Sequence, residues 1–266
     1  MIFCFSGTGN TRWAAEEISK ATGERLLNMA EEINGNCRYQ LTAGERIGFC
    51  FPVHGWRPPQ LVRSFIRKIY VEIPANEQPY CWALCTAGDD IGMTMEYFNE
   101  DLAALHLRAE SVFSLIMPES YVGLPFMDID KPEKELAKKE TARRQLEDIK
   151  QIILRKEQGV TMTYKGHWPR INSKVLGAAF VKWIITDKPF RVKADVCLQC
   201  GACAQVCPVD NIAGGHQQLP QWKHNGHCLT CFACYHHCPV HAIEFGSRTK
   251  HKGQYYFKRD HSTKFV

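Results

Sequence analysis

An α/β fold, built on a doubly wound parallel sheet and followed by a small α+β module, is what the sequence predicts. Three observations carry that expectation. Short apolar runs alternate with helical patterns through residue 158, as βαβ units require. Loops rich in Gly, Ser, Thr and Pro follow the first, third and fourth runs, on the edge where such sheets hold ligands. Eight of the 13 cysteines fall between Cys197 and Cys238.

The elements follow in order. Residues 2–5 read as a buried strand and residues 13–21 as a helix. Residues 25–29 form a weaker second strand. Residues 47–53 form the third, which runs into Pro52, Val53, His54, Gly55 and Trp56. Residues 60–70 are amphipathic, with Leu61, Phe65, Ile66 and Ile69 on one face. Residues 80–85 are the fourth strand, followed by Thr86, Ala87, Gly88 and Asp89. A helix over 91–105 and a fifth strand over 109–117 come next. Residues 131–158 form a long charged helix with Leu136, Leu146, Ile149 and Ile153 facing inward. The expected organisation is an α/β domain over 1–158 and a connector over 159–194 with a helix at 173–185. A cysteine module over 195–246 and a basic tail over 247–266 complete it. Lys188-Pro189 closes the connector helix.

The chain carries 33 Lys and Arg against 28 Asp and Glu, a net +5. The charge divides unevenly, at −4 over residues 1–158 and +9 over 159–266. No apolar run approaches the roughly 18 residues that span a bilayer, so no membrane partner is expected. Met1 leads directly into Ile2-Phe3-Cys4-Phe5, without the basic and long apolar regions of a signal peptide. A cytoplasmic location follows, where thiols stay reduced and 13 cysteines are not a disulfide framework. Charge alone is weak ground for a nucleic-acid partner, and none is expected, although Tyr255, Tyr256 and Phe257 interleave with lysines in the tail. Oligomeric state is not legible.

The cysteines form an internal repeat. Cys197, Cys200, Cys203 and Cys207-Pro208 recur 31 residues later as Cys228, Cys231, Cys234 and Cys238-Pro239. Each run reads C-x₂-C-x₂-C-x₃-C-P, the spacing by which bacterial ferredoxins hold 4Fe-4S clusters, the fourth cysteine serving the other cluster. Three thiolates on one short loop wrap three corners of a cube, and the proline ends the following turn. One cluster is thus expected on Cys197, Cys200, Cys203 and Cys238, the other on Cys228, Cys231, Cys234 and Cys207. Zinc also favours four cysteines, but it does not account for four per run with a proline after the last. The histidines of the module are read as packing or surface residues. His236 and His237 are candidate hydrogen-bond donors to cluster sulfur. Cys4, Cys50, Cys81 and Cys85 read as small core residues. Residues 195–246 resemble a two-cluster ferredoxin domain, which implies one-electron transfer.

Ser6, Gly7, Thr8, Gly9, Asn10 and Thr11 join the first strand to the first helix. Two glycines let the backbone curl around an anion, hydroxyls donate, and the helix N-terminus adds positive potential. The absence of lysine there excludes an ATP P-loop. A plain helix cap would use only Thr8 or Asn10. This loop, its place after the first strand and the five-strand pattern resemble flavodoxin over about residues 1–158. The resemblance implies FMN, with its phosphate in that loop. Its ring would lie between the loop of Pro52, Val53, His54, Gly55 and Trp56 and the loop of Thr86, Ala87, Gly88 and Asp89. Trp56 is the first candidate to stack on the ring, and His54 the second.

Together the halves resemble the flavodoxin–ferredoxin fusion proteins. That resemblance implies an electron-transfer protein relaying electrons between two 4Fe-4S clusters and FMN, to or from a redox partner protein. The main alternative is a flavin-dependent reductase of a small molecule, fed by the clusters. A regulatory module that has lost FMN is the third reading.

Overall fold

The computed structural model describes residues 1–258; the tail residues Arg259 and Lys264 lie outside them. The sheet is built from β1 (Ile2–Cys4), β2 (Leu26–Asn28), β3 (Ile47–Pro52), β4 (Cys81–Ala87), β5 (Ser111–Ile116) and β6 (Thr161–Met162). All pair in parallel, in the order β2-β1-β3-β4-β5-β6. The order of the first five is the flavodoxin-like one, which reverses direction between β1 and β3. The expected five strands are therefore joined by a sixth. It lies in the segment expected to be connector and is only two residues long, too short to leave a period.

Alternation along the strands sorts the core into two layers. Phe3, Phe49, Phe51, Ala83 and Cys85 point to one face, under α2 (Gln60–Lys68) and α3 (Thr94–Leu102). Ile2, Cys4, Cys50, Trp82 and Leu84 point to the other, under α1 (Asn10–Thr22) and α4 (Pro132–Leu154). Both faces are covered, so the central strands are apolar throughout. Leu146, Ile149 and Ile153 of α4 are buried, as the pattern predicts, but Leu136 is exposed. Leu136 falls off the stripe of Ala142, Leu146, Ile149 and Ile153, and Glu135 takes the buried position in its turn. Burial pushes the Cys4 thiol up to about 12 and those of Cys50, Cys81 and Cys85 well above their usual range. These side chains are packing groups.

The connector helix occupies residues 169–184, with π turns at Asn172–Leu176 and Phe180–Ile184. The module that follows contains β7 (Phe190–Val192), α5 (Ala202–Gln205), β8 (Ile212–Ala213), β9 (Gln221–Trp222), α6 (Ala233–His236) and β10 (Ile243–Phe245). β7 pairs with β10, and β8 with β9, both antiparallel.

One close approach fixes the middle of the sheet. Gly48 on β3 lies opposite Trp82 on β4. A Cβ on Gly48 would lie 2.2 Å from Trp82 Cζ2, and the indole is fully buried. Gly48→Ala should therefore lower the free energy of unfolding by about 1–3 kcal/mol. Urea denaturation measures this, and an unchanged midpoint would show that the indole swings aside freely.

Candidate functional site

The two cysteine runs fold alike. Left-handed backbone recurs at the 31-residue offset: Gln199 with Thr230, Gly201 with Phe232, and Asp210 with His241. Each run then enters a one-turn helix, α5 or α6. Amide-to-sulfur hydrogen bonds repeat too. Gln199 N–H donates to Cys197 Sγ at 3.4 Å and Thr230 N–H to Cys228 Sγ at 3.4 Å. Asn211 N–H donates to Cys207 Sγ and Ala242 N–H to Cys238 Sγ, each at 3.2 Å.

The runs enclose two cavities. Cys197, Cys200 and Cys203 line one together with Cys238 of the other run. Cys228, Cys231 and Cys234 line the second together with Cys207. Among the described residues no three His, Cys, Asp or Glu side chains converge where a single ion would sit. Burial pushes the thiols of Cys203 and Cys228 up to about 11, Cys231 to about 12, and Cys234 well above the usual thiol range. Four thiolates per cavity are tenable only beside compensating positive charge, which a bound metal cluster would supply.

The loop of residues 6–11 lies at the carboxyl end of β1. Gly9 has φ 94° and starts α1, and its amide donates to Ser6 Oγ at 3.1 Å. The amides of Gly7, Thr8, Asn10, Thr11 and Arg12 have no hydrogen-bond acceptor among the described residues. They are the unmet donors of a helix N-terminus, which suit a phosphate. The hydroxyls are partly engaged. Thr8 Oγ1 donates to Ser120 Oγ at 3.3 Å, and the Thr11 and Thr86 hydroxyls share a hydrogen bond of 2.7 Å. Each hydroxyl pair uses one proton, so each retains a second to donate.

Three loop glycines are approached from elsewhere in the chain. A Cβ on Gly7 would lie 3.2 Å from Cys231 Cβ, one on Gly55 2.6 Å from Phe180 Cδ1, and one on Gly88 2.2 Å from Glu119 Oε2. The loops after β1, β3 and β4 thus lie under the second cysteine run, the connector helix and the segment after β5. Trp56 has φ 57° and packs on Gly92, with a Cβ there 3.0 Å from its own. Its indole holds the Asp90 carboxylate. These contacts engage the indole edge and Cβ of Trp56. His54 lies edge-on to Phe5, and burial lowers its pKa to about 4. Val53 N–H donates to Thr86 O at 2.8 Å, joining the two ring loops.

Sequence reasoning missed the segment after β5. Glu119 is half-buried, and desolvation raises its pKa although Tyr121 and Ser120 amides donate to it. Tyr121 packs edge-on against both Phe180 and Phe232. Its buried hydroxyl has no hydrogen-bond partner among the described residues. The tail was missed as well. Phe257 N–H donates to Thr8 O at 2.7 Å, and Tyr255 OH to Asn10 Oδ1 at 2.6 Å. His236 accepts the Tyr255 amide on Nδ1 at 3.1 Å, so its proton lies on Nε2, which donates to Ser120 O at 2.6 Å. Both its ring nitrogens are committed, and the sulfur hydrogen bonds described above come from backbone amides.

Residues 190–239 match the 4Fe-4S dicluster domain family, a match confined to the C-terminal module. Such modules hold iron–sulfur clusters and carry electrons. With the parallel sheet, the chain has a flavodoxin/ferredoxin architecture. No curated protein matches. Among solved structures, rubredoxin oxygen:oxidoreductase from the anaerobe Desulfovibrio gigas is similar at 15% identity and a TM-score of 0.30. The similarity covers 55% of this chain and 35% of that one. The chain therefore spans about a third of that protein's length.

His54 gives a pH test. The unfolded chain takes up its proton near pH 6.5, the folded chain only near 4. Between these values the unfolded state binds more protons, so stability falls as pH falls through that window. His54→Gln should lose less over the same interval, by on the order of 2–3 kcal/mol. Urea unfolding at both ends of the window measures the difference, and identical pH slopes would place His54 in water.

Proposed function

We propose that this protein transfers electrons between a partner redox protein and an internal relay. The relay comprises FMN, held by Ser6, Gly7, Thr8, Gly9, Asn10 and Thr11, and two 4Fe-4S clusters held by the cysteine runs. The contact of Gly7 with Cys231 carries this reading. A Cβ at Gly7 would also lie 3.6 Å from Cys231 Sγ, so the phosphate loop rests on the wall of the second cysteine cavity. Cys197, Cys200, Cys203 and Cys238 are the ligands of one cluster, and Cys207, Cys228, Cys231 and Cys234 of the other. Bound in these sites, FMN would supply a carrier of one or two electrons and each cluster a carrier of one.

The chain's own residues set the arrangement. The amides at the start of α1 bind phosphate, and the second protons of the two hydroxyl pairs add to them. Phe232 and Tyr121 fill the gap between the second cavity and the connector helix, which keeps water out of it. The first cavity lies on the outer side. Cys200 and Leu198 are exposed there, so a partner protein docks at that end.

A small-molecule reductase is the second reading, and Glu119 favours it. Its carboxyl, with a pKa raised by desolvation, lies beside Gly88 at the mouth of the loop after β4. Against it stands the connector helix, which roofs the ring loops. Phe180 packs on Gly55, and Arg57 Nη2 donates to Ser173 O at 2.8 Å.

Anaerobic purification with FMN, iron and sulfide quantified tests the whole reading. Thr8→Ala/Thr11→Ala should lose FMN while iron stays at the wild-type level. Stoichiometric FMN in that variant would refute the phosphate loop. Cys207→Ala should lower iron to about half, because Cys228, Cys231 and Cys234 lose their fourth partner. Unchanged iron and electron paramagnetic resonance spectra would refute the crossed ligand sets.

A further inference from the structure

The connector helix is apolar on both faces. Its inner face, Ser173, Gly177 and Phe180, rests on the ring loops: Ser173 Oγ accepts the Met93 amide at 2.8 Å, and a Cβ on Gly177 would meet Gly55 O at 2.3 Å. Its outer face carries Trp168, Ile171, Val175 and Trp183, of which Trp168 is 69%, Val175 61% and Trp183 67% exposed. Ile171 and Val175, four apart, share a side of the helix; Trp168 stands at its N-cap and Trp183 two turns beyond Val175, so an exposed tryptophan lies near each end. A strip of this size on a surface marks a contact site.

The charges around the strip identify the occupant. No Asp or Glu occurs between Glu157 and Asp187, whereas Lys165, Arg170, Lys174 and Lys182 do. Lys165 is paired with Glu96. Arg170, Lys174 and Lys182 form no ion pair among the described residues. A second copy is disfavoured, because a two-fold contact sets the same face against itself and brings these cations together. A helix lying flat, apolar outward, flanked by tryptophan and edged with Lys and Arg has the composition of one seated at a membrane–water interface.

We propose that residues 168–183 seat the protein on an anionic membrane surface, with the helix axis parallel to it and the tryptophans at headgroup depth. No described helix is long and apolar enough to cross a membrane. The expectation of no membrane partner rested on the lack of a spanning run, which does not address a helix lying on the surface.

The test is co-sedimentation of the full chain, purified with its iron, with two kinds of vesicle. One is phosphatidylcholine alone, and in the other roughly a third of the lipid is phosphatidylglycerol. The chain should pellet with the anionic vesicles, and far less with the neutral ones. Arg170→Gln/Lys174→Gln/Lys182→Gln should weaken partitioning about a hundredfold. Trp168→Ser/Trp183→Ser should abolish it, with iron–sulfur absorbance unchanged as the check on folding. A chain that stays in the supernatant with both vesicles overturns the proposal, as does equal binding to both. So does a dimer in light scattering that the tryptophan variant dissolves, which would assign the strip to a second copy. Binding to soluble polyglutamate with vesicles left free would assign it to an acidic protein and overturn the proposal equally.

Discussion

A closed run of hydrogen bonds holds the cysteine module against the sheet, and the candidate site depends on it. Thr8 donates to the Ser120 hydroxyl, and Ser120 O accepts from His236. His236 accepts the Tyr255 amide, Tyr255 OH donates to Asn10, and Asn10 Nδ2 donates to Pro118 O. Asn10, Tyr255 and His236 are all nearly inaccessible to water. Removing any of them strands a buried partner, which costs about 1–3 kcal/mol, more than one hydrogen bond contributes. The circuit ties the loop after β1, the segment after β5, α6 and the tail into one body. That is why Gly7 lies directly on Cys231, where a Cβ would have to press the cysteine back by a few tenths of an ångström.

The departures from symmetry between the two cysteine runs follow from this packing. Gly201 and Phe232 both adopt left-handed backbone, with φ of 79° and 57°. Glycine adopts it freely, whereas phenylalanine is strained by about 1–2 kcal/mol. Phe232 offsets the strain because its ring lies among Tyr121, Phe190, Tyr235 and Phe245. The second run faces the α/β domain and needs a large ring to fill the join. The first faces solvent and does not.

Legibility in the sequence followed contact range. The sheet was readable because β-strands and amphipathic helices impose periods within a few residues, and the cysteine runs because their spacing is short and repeated. Glu119, Ser120 and Tyr121 carry no local signal. They matter only because the carboxyl end of β5 faces the loops after β1 and β4. Tyr255 and Asn10 are 245 residues apart, and nothing in a basic, aromatic tail announces that pairing. Trp56 shows the converse limit. Its place in the loop after β3 was legible, but its left-handed backbone and its contact with Asp90 were not.

The charge of the C-terminal part now has an address. Of its +9, the acid-free stretch of residues 158–186 holds +4, and residues 187–266 hold +5. Each four-thiolate 4Fe-4S site carries roughly −2 when oxidised, so two loaded sites leave the module close to neutral. Its lysines and arginines are then counter-charge to what the cysteines hold. The surplus left over sits on the connector helix, beside exposed tryptophans and far from any carboxylate in sequence. The +5 of residues 187–266 lies wholly in residues 247–266, where six Lys and Arg meet one Asp, while residues 187–246 are balanced. The +4 of residues 158–186 is a separate surplus, and the part of it on the connector helix, Arg170, Lys174 and Lys182, edges an exposed apolar face.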